Sequence, residues 1–412
     1  MFIRKLIKNY IVILFITFLS LVGSFFTNIF INYYYGKTEF GQYSTIYNIA
    51  LFFSVFVAFG AGKFLLREIS ISKNRFVNSI PYLKRLIITT YMFSFVGYLL
   101  FIMFINYETK LKILLLISMP IIFFLGSINL YSNINIAQKE FIRSTIISTS
   151  LHLTIFISLI PAFIFKLSFE FFIMTLSITS LVITLYIFYK INRFFMNISS
   201  ENNFKSTNNV DFKKVFKSVY PFGIIGLFYF IYYQSDIMIL SFYKSSDVVA
   251  EYNAAFSILA ALLVFPKVLY QRLLAPYIYE SHHRGKGNKK FKYLQLIFIL
   301  SSVLAYIILI VFSKLIINLL FGDNYTDAPF VLMILGASFV LRFIYGYSGV
   351  IMDFEENLKY KMNIMAITAS VNIILNLLFI PEFGVYAAAL STVLSEILLS
   401  FLLVCKRYSI AR

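Results

Sequence analysis

Apolar windows of about 20 residues, each long enough to cross ~30 Å of hydrocarbon as a helix, follow one another along almost the whole chain. Twelve windows meet that requirement, at approximately 10–32, 43–62, 86–106, 113–135, 144–165, 169–190, 217–241, 250–273, 293–313, 328–350, 361–380 and 384–405. The longest stretch outside them runs from about Lys190 to Phe216. A backbone in lipid must satisfy its own polar groups, and windows of this length do so as helices. The expected fold class is therefore an all-α polytopic membrane protein of about twelve transmembrane helices, with no room for a soluble catalytic domain.

Charge placement decides what the basic balance means. The chain is 13% charged and 60% hydrophobic, where a soluble domain carries roughly 25% charged residues. A pI near 9.6 would suit a nucleic-acid binder, but the Lys and Arg lie in short links beside apolar spans rather than on a soluble face. No nucleic-acid partner is expected. The single cysteine, Cys405, closes the last span and excludes a disulfide framework within one chain. Arg4, Lys5 and Lys8 ahead of an apolar run imitate a signal peptide; the run to about Asn32 is too long for one, so it reads as a retained first helix. His282 and His283 stand among Arg284, Lys286, Lys289 and Lys290 with no acidic partner beyond Glu280, which reads as a solvated loop and not a metal site. No GxxxxGK[ST] loop for ATP occurs, and no loop assembles a catalytic triad or paired carboxylates, so no enzyme activity is expected.

Alternating the links between two sides concentrates the basic residues on one of them. That side holds Arg4, Lys5, Lys8, the Lys63–Arg85 link, Lys139, Arg143, the Lys190–Lys217 link, the Arg284–Lys292 link, Lys359, Lys361, Lys406, Arg407 and Arg412. The other side holds Lys37, Lys110, Lys112, Lys166, Lys244 and Lys314. Short loops rich in Lys and Arg stay cytoplasmic, so both termini are expected inside.

The two halves of the chain echo each other. The link Tyr35-Gly36-Lys37-Thr38-Glu39-Phe40-Gly41-Gln42-Tyr43-Ser44 aligns with the one after span seven when Tyr43 is laid on Tyr252. A second echo pairs Ile160-Pro161-Ala162-Phe163 with Ile380-Pro381-Glu382-Phe383. Both fall where a six-plus-six duplication places them. The expected organisation is an N-terminal bundle over 1–190, a cytoplasmic linker over 191–216 and a C-terminal bundle over 217–412. Parallel repeats of this kind are a transporter architecture with the substrate site between the halves.

Four pieces of sequence, read in order, resemble Wzx-type polysaccharide flippases. They are Glu39-Phe40-Gly41-Gln42-Tyr43-Ser44, Tyr220-Pro221-Phe222-Gly223 with Asp236 later in the same helix, Glu251-Tyr252-Asn253-Ala254-Ala255, and Pro381-Glu382-Phe383-Gly384-Val385-Tyr386 with Ala387, Ala388 and Ala389. That family shares a superfamily with multidrug-extrusion (MATE) transporters and the lipid II flippase, and twelve spans rather than fourteen argue against the lipid II flippase itself. The resemblance implies two pseudo-symmetric, MATE-like bundles in a bacterial inner membrane. It implies a carrier that turns an undecaprenyl-pyrophosphate-linked oligosaccharide outward for O-antigen or capsule assembly. Membrane lipids, a polysaccharide polymerase and a chain-length regulator are the partners it implies. No cofactor is expected beyond a proton or sodium gradient.

Ionisable residues inside spans need a reason, because a charge at the bilayer centre costs at least ~2.5–3.5 kcal/mol on insertion scales. At about 1.5 Å per residue, Arg342 lies ~21 Å and Lys267 ~26 Å from the external end of its span. Arg272, Lys63 and Arg67 lie at the cytoplasmic edge. A pyrophosphate headgroup arriving from that side would pair with Arg in bidentate fashion, so these five are candidate headgroup residues. The alternative for all but Arg342 is that they snorkel to the interface. Asp236 is a candidate coupling carboxylate, a lock between the halves, or an interfacial residue satisfied by a neighbouring helix. Glu396, ~18 Å from the external end of the last span, either couples to protons or pairs with a cation such as Arg342. Asn372 and Asn376 read as helix–helix hydrogen-bonding groups. Two rivals remain at this stage. A MATE-type multidrug exporter would want an acidic cavity for cationic drugs. An O-antigen polymerase or ligase would want large external loops, which the short outer links do not supply.

Overall fold

The computed structural model describes residues 2–71, 79–138, 140–201, 212–267, 269–270, 289–352 and 357–410, and every regular element among them is helical. In chain order these are α1 (Phe2–Tyr35), α2 (Lys37–Ala58), α3 (Ala61–Ile71), α4 (Ile80–Phe104), α5 (Thr109–Ile117), α6 (Met119–Ala137) and α7 (Phe141–Ile164). They continue as α8 (Phe169–Glu201), α9 (Phe212–Tyr243), α10 (Ser246–Leu262), α11 (Val264–Lys267), α12 (Lys289–Phe321), α13 (Ala328–Ile351) and α14 (Leu358–Ile410). Prolines open α4, α6 and α13 at the first or second helical position, where a missing N–H costs nothing.

Eleven of the described helices are long and apolar enough to cross a membrane. The last of them bends sharply at Gly384, whose φ of 56° and ψ of −128° lie outside the helical region. Its two arms match the two windows expected at 361–380 and 384–405. Large apolar side chains on the outer faces stay bare: Leu319 is 82% and Phe104 81% exposed. Faces of that kind suit hydrocarbon and not water.

The helices outrun the apolar windows. The linker expected over 191–216 is helical at both described ends, because α8 continues to Glu201 and α9 begins at Phe212. Ile191, Phe195 and Ile198 bury one side of that extension at the i, i+4, i+7 spacing of an amphipathic helix. Beyond the lipid, tertiary packing and not hydropathy sets where these helices stop.

The chain packs as two compact units. One comprises Met1–Thr27 with Ile46–Leu227, the other Asn28–Thr45 with Phe228–Arg412. In the first unit, α3 lays Ala61, Phe64, Leu65 and Ile69 on a core made by Leu83 and Leu86 of α4, Phe124 and Ile134 of α6, Ile187 of α8 and Val219 of α9. Gly223 sits against this core in close approach to Phe59, whose ring atoms would stand 2.6 Å from an added Cβ. That contact explains the glycine of the Pro221-Phe222-Gly223 piece.

In the second unit, α10 is buried without a break from Val249 to Leu259, and its Ala250, Ala254 and Ala255 let neighbours approach closely. The short segment Asn28–Thr45 belongs here through specific contacts. Tyr43 stands six residues beyond the start of α2 at Lys37, and Tyr252 six beyond the start of α10 at Ser246. The residues that follow them meet, Asn253 Nδ2 donating to Ser44 Oγ. Gly41 lies directly on the Ser246 backbone, where no Cβ fits.

Candidate functional site

Lys63 lies on the exposed face of α3 in the first unit, and Lys267 is exposed at the end of α11 in the second. Arg67 falls on α3, with its side chain outside the described set, and Arg272 lies outside the described residues. Exposure is what Lys63 and Lys267 share. Both stand at the ends of apolar spans, where long side chains reach the interface. Arg342 differs from them.

Arg342 of α13 meets Glu396 of α14. Its Nε and Nη2 donate to Glu396 Oε1 at 2.9 and 2.7 Å, and the two side chains are 16% and 1% exposed. The guanidinium carbon lies 5.0 Å from the Tyr233 ring centre, within cation–π range. Tyr232 and Tyr345 complete the electrostatic surroundings of the pair. Of the two roles open to Glu396 from sequence, the structure shows pairing with Arg342. Removing one partner of such a pair costs ~3–5 kcal/mol, since the other charge is left buried.

About one helical turn away, ~5.4 Å along the same helices, α9 and α14 build a second centre around Asp236, which is 1% exposed. Its Oδ2 accepts from Tyr252 Oη at 2.8 Å and from Thr392 Oγ1. Its Oδ1 accepts from Asn376 Nδ2 at 2.5 Å. Asn376 also donates to Asn372 Oδ1 at 3.1 Å, and Ser235 donates to the same oxygen at 3.0 Å. Thr392 has a second acceptor in Ala388 O at 3.0 Å; with one hydroxyl proton it serves either that carbonyl or Asp236. Asn376 Oδ1 and Asn372 Nδ2 are buried without a partner among the described residues. The partners of Asp236 among the described residues come from α10 and α14.

A third polar centre was not singled out in sequence. Glu251 of α10 accepts from Lys37 Nζ at 2.5 Å, from Thr326 N at 3.1 Å and from Ala328 N at 2.8 Å. The carboxylate thus sits on the N-terminus of α13, where negative charge is favoured. Lys37 also donates to Asn324 O at 2.8 Å, and Thr38 donates to Asp247 at 2.6 Å. Tyr325 donates to Asn32; burial, then the Glu251 and Asp247 carboxylates, push its phenol well above the ordinary range. These bonds tie Asn28–Thr45 to the second unit.

Chemically, the second unit offers one buried guanidinium–carboxylate pair and one oxygen-rich carboxylate cage. No group of three or more His, Cys, Asp or Glu side chains that could hold a metal ion gathers among the described residues. Sequence reasoning put forward Arg342, Glu396 and Asp236 as site residues; Tyr252 entered only through the repeat and the family resemblance, and Thr392, Tyr232, Tyr233 and Tyr345 were not proposed for a site. The available signal was the i, i+4 spacing of Asn372 with Asn376 and of Thr392 with Glu396.

Comparison with known proteins agrees with this architecture. The solved structure of a lipid II flippase, MurJ, in an inward closed conformation superposes with a TM-score of 0.70 at 18% identity, covering 97% of this chain and 87% of that one. An inward-facing multidrug resistance MATE transporter of the MOP superfamily superposes at 0.65 and 12% identity, covering 98% of both chains. These likenesses establish the fold, that of an all-α multi-pass membrane protein. A probable low-salt glycan biosynthesis flippase, Agl15 of Haloferax volcanii, is 23% identical over 169 residues. That match spans 40% of this chain and 36% of the length of the relative. The model of the family described as polysaccharide biosynthesis protein matches residues 6–282, and the chain belongs to that family.

Proposed function

We propose that the protein is a flippase for a lipid-linked oligosaccharide in polysaccharide assembly. Its cargo is an undecaprenyl-pyrophosphate-linked unit of O-antigen or capsule, carried from the cytoplasmic to the periplasmic leaflet of a bacterial inner membrane by alternating access. Both termini are cytoplasmic, and a polymerase with its chain-length regulator receives the product. The observation that carries the reading is Arg342, a guanidinium held ~21 Å inside its span in a member of a polysaccharide biosynthesis family. A pyrophosphate presents the paired oxygens that a guanidinium binds best. Lys63, Arg67, Lys267 and Arg272, placed toward the cytoplasmic edge by sequence, draw the headgroup in, while the polyprenyl tail stays in lipid.

Asp236 is the coupling centre in this reading. A rotation of the Asn376 amide brings a second amide oxygen toward Asp236, beside Asn372 Oδ1, Thr392 Oγ1 and Ala388 O. Oxygen sets of this composition bind hard cations, and protonation of Asp236 would serve the same end for a proton gradient.

The fold likeness to a MATE transporter favours a second reading, ion-coupled export of a cationic drug. An oxyanion can take the Arg342 guanidinium from Glu396 and a cationic drug cannot, which argues for an anionic cargo instead. Expression in cells lacking their own flippase for a surface polysaccharide tests the proposal. Restored surface polymer, lost again in Arg342→Ala at equal membrane abundance, is the expected result. Normal polymer in the Arg342→Ala strain would discard the deep-cation role.

A further inference from the structure

The Arg342–Glu396 pair is half-made. Arg342 directs two donors at a single oxygen, Oε1, where a fork-on-fork pair uses both carboxylate oxygens. Glu396 Oε2 is buried without a hydrogen-bond partner among the described residues, and so is the hydroxyl of Tyr232, which lies within electrostatic reach of the same carboxylate. The Arg342 side chain keeps 16% of its surface accessible while Glu396 keeps 1%. The Arg342 side chain is therefore open to approach where that of its carboxylate partner is not.

A carrier must also reset without cargo. A guanidinium that takes a cargo anion on the outward stroke would return with nothing to neutralise it, and an unpaired charge within the span is strongly disfavoured. Resting on the flippase reading, we infer that Glu396 is the return counter-ion of Arg342. It holds the guanidinium while the carrier is empty and yields it to an oxyanion of the cargo. Once displaced, Glu396 faces Tyr232 and Tyr345, whose hydroxyls can donate to it. Arg342 then alternates between two anions and is at no stage bare. The same competition sets specificity: a neutral cargo has nothing with which to displace Glu396 and is refused.

The test uses the full chain in nanodiscs with geranylgeranyl pyrophosphate as probe and geranylgeraniol as the neutral control. Glu396→Gln should bind the pyrophosphate at least about tenfold tighter than the wild type, a shift of ~1.4 kcal/mol. Arg342→Gln and the double variant should bind weakly and equally, because Glu396 matters only through Arg342. Binding of the neutral control should not respond to any variant. In liposomes Glu396→Gln should complete a first turnover and lose at least about tenfold in steady-state transport. Should Glu396→Gln fold poorly, Glu396→Asp serves in its place: the shorter carboxylate competes less well, so pyrophosphate binding should tighten by a smaller factor. If the wild type binds the pyrophosphate but neither Glu396 variant binds it tighter, the counter-ion role is wrong and the flippase reading survives. If the wild type neither binds nor moves a polyprenyl pyrophosphate, both fall.

Discussion

The tie between Lys37 and Glu251 gives a prediction whose size follows from the geometry. Glu251, with a side chain 5% exposed, receives an ammonium at 2.5 Å and two backbone amides at 3.1 and 2.8 Å. Glu251→Ala removes all three bonds and deprives Lys37 of its carboxylate; Lys37, 23% exposed, keeps the Asn324 carbonyl and the face of the Tyr325 ring. Loss of one partner from a buried pair costs ~3–5 kcal/mol, and the partial access of Lys37 to solvent places the expected cost near the lower end, ~3 kcal/mol. Lys37→Met should cost less, ~1–2 kcal/mol, because Glu251 keeps both amide donors. The two changes should not add: a double-mutant cycle should return a coupling of ~1–3 kcal/mol. Equilibrium unfolding of the full chain in mixed SDS micelles reads all four corners. A coupling below ~0.5 kcal/mol would refute the claim that this ion pair fixes Asn28–Thr45 to the second unit.

Asp236→Asn should leave the protein folded, since the amide keeps an acceptor for Thr392 or Tyr252, and should abolish the response of transport to an imposed sodium or proton gradient in liposomes. Retained gradient dependence would remove Asp236 from the coupling role. Gly41→Val should destabilise the chain by more than ~2 kcal/mol in the same unfolding assay, because the new side chain overlaps the Ser246 backbone; wild-type stability would mean that the two links do not meet. Arg342→Lys should keep part of the export activity that Arg342→Ala loses, a charge without the fork being a weaker oxyanion ligand. A reporter fused after Arg193 should be cytoplasmic, and a periplasmic signal would invalidate the span count.

How much could be read from sequence varied with the physics involved. Spans were legible because hydrocarbon imposes one length on every helix, and even the bend that splits α14 stood where Pro381 and Gly384 fall between two windows. The meeting of Arg342 and Glu396 was within reach too, as the two sit within ~3 Å of the same depth when counted from their span ends. Helix ends were not legible: the extension of α8 through Arg193 is held by Ile191, Phe195 and Ile198 packing on a core that hydropathy does not report. Nor was the assignment of Asn28–Thr45 to the second unit, which depends on Lys37 finding Glu251 more than two hundred residues away. The cage around Asp236 draws Tyr252 from α10 and Asn376 and Thr392 from the two arms of α14, and beyond their i, i+4 spacings only the uncharged polar character of these residues inside apolar spans hinted at it.

Reconstitution offers the most direct measurement. The purified protein in liposomes, given an undecaprenyl-pyrophosphate-linked oligosaccharide on one leaflet, should bring the sugar to the opposite leaflet, where an added glycosidase can cut it, at a rate that falls at least tenfold in Arg342→Ala. It should leave a cationic dye where it was placed. Movement of the dye without movement of the sugar would contradict the account.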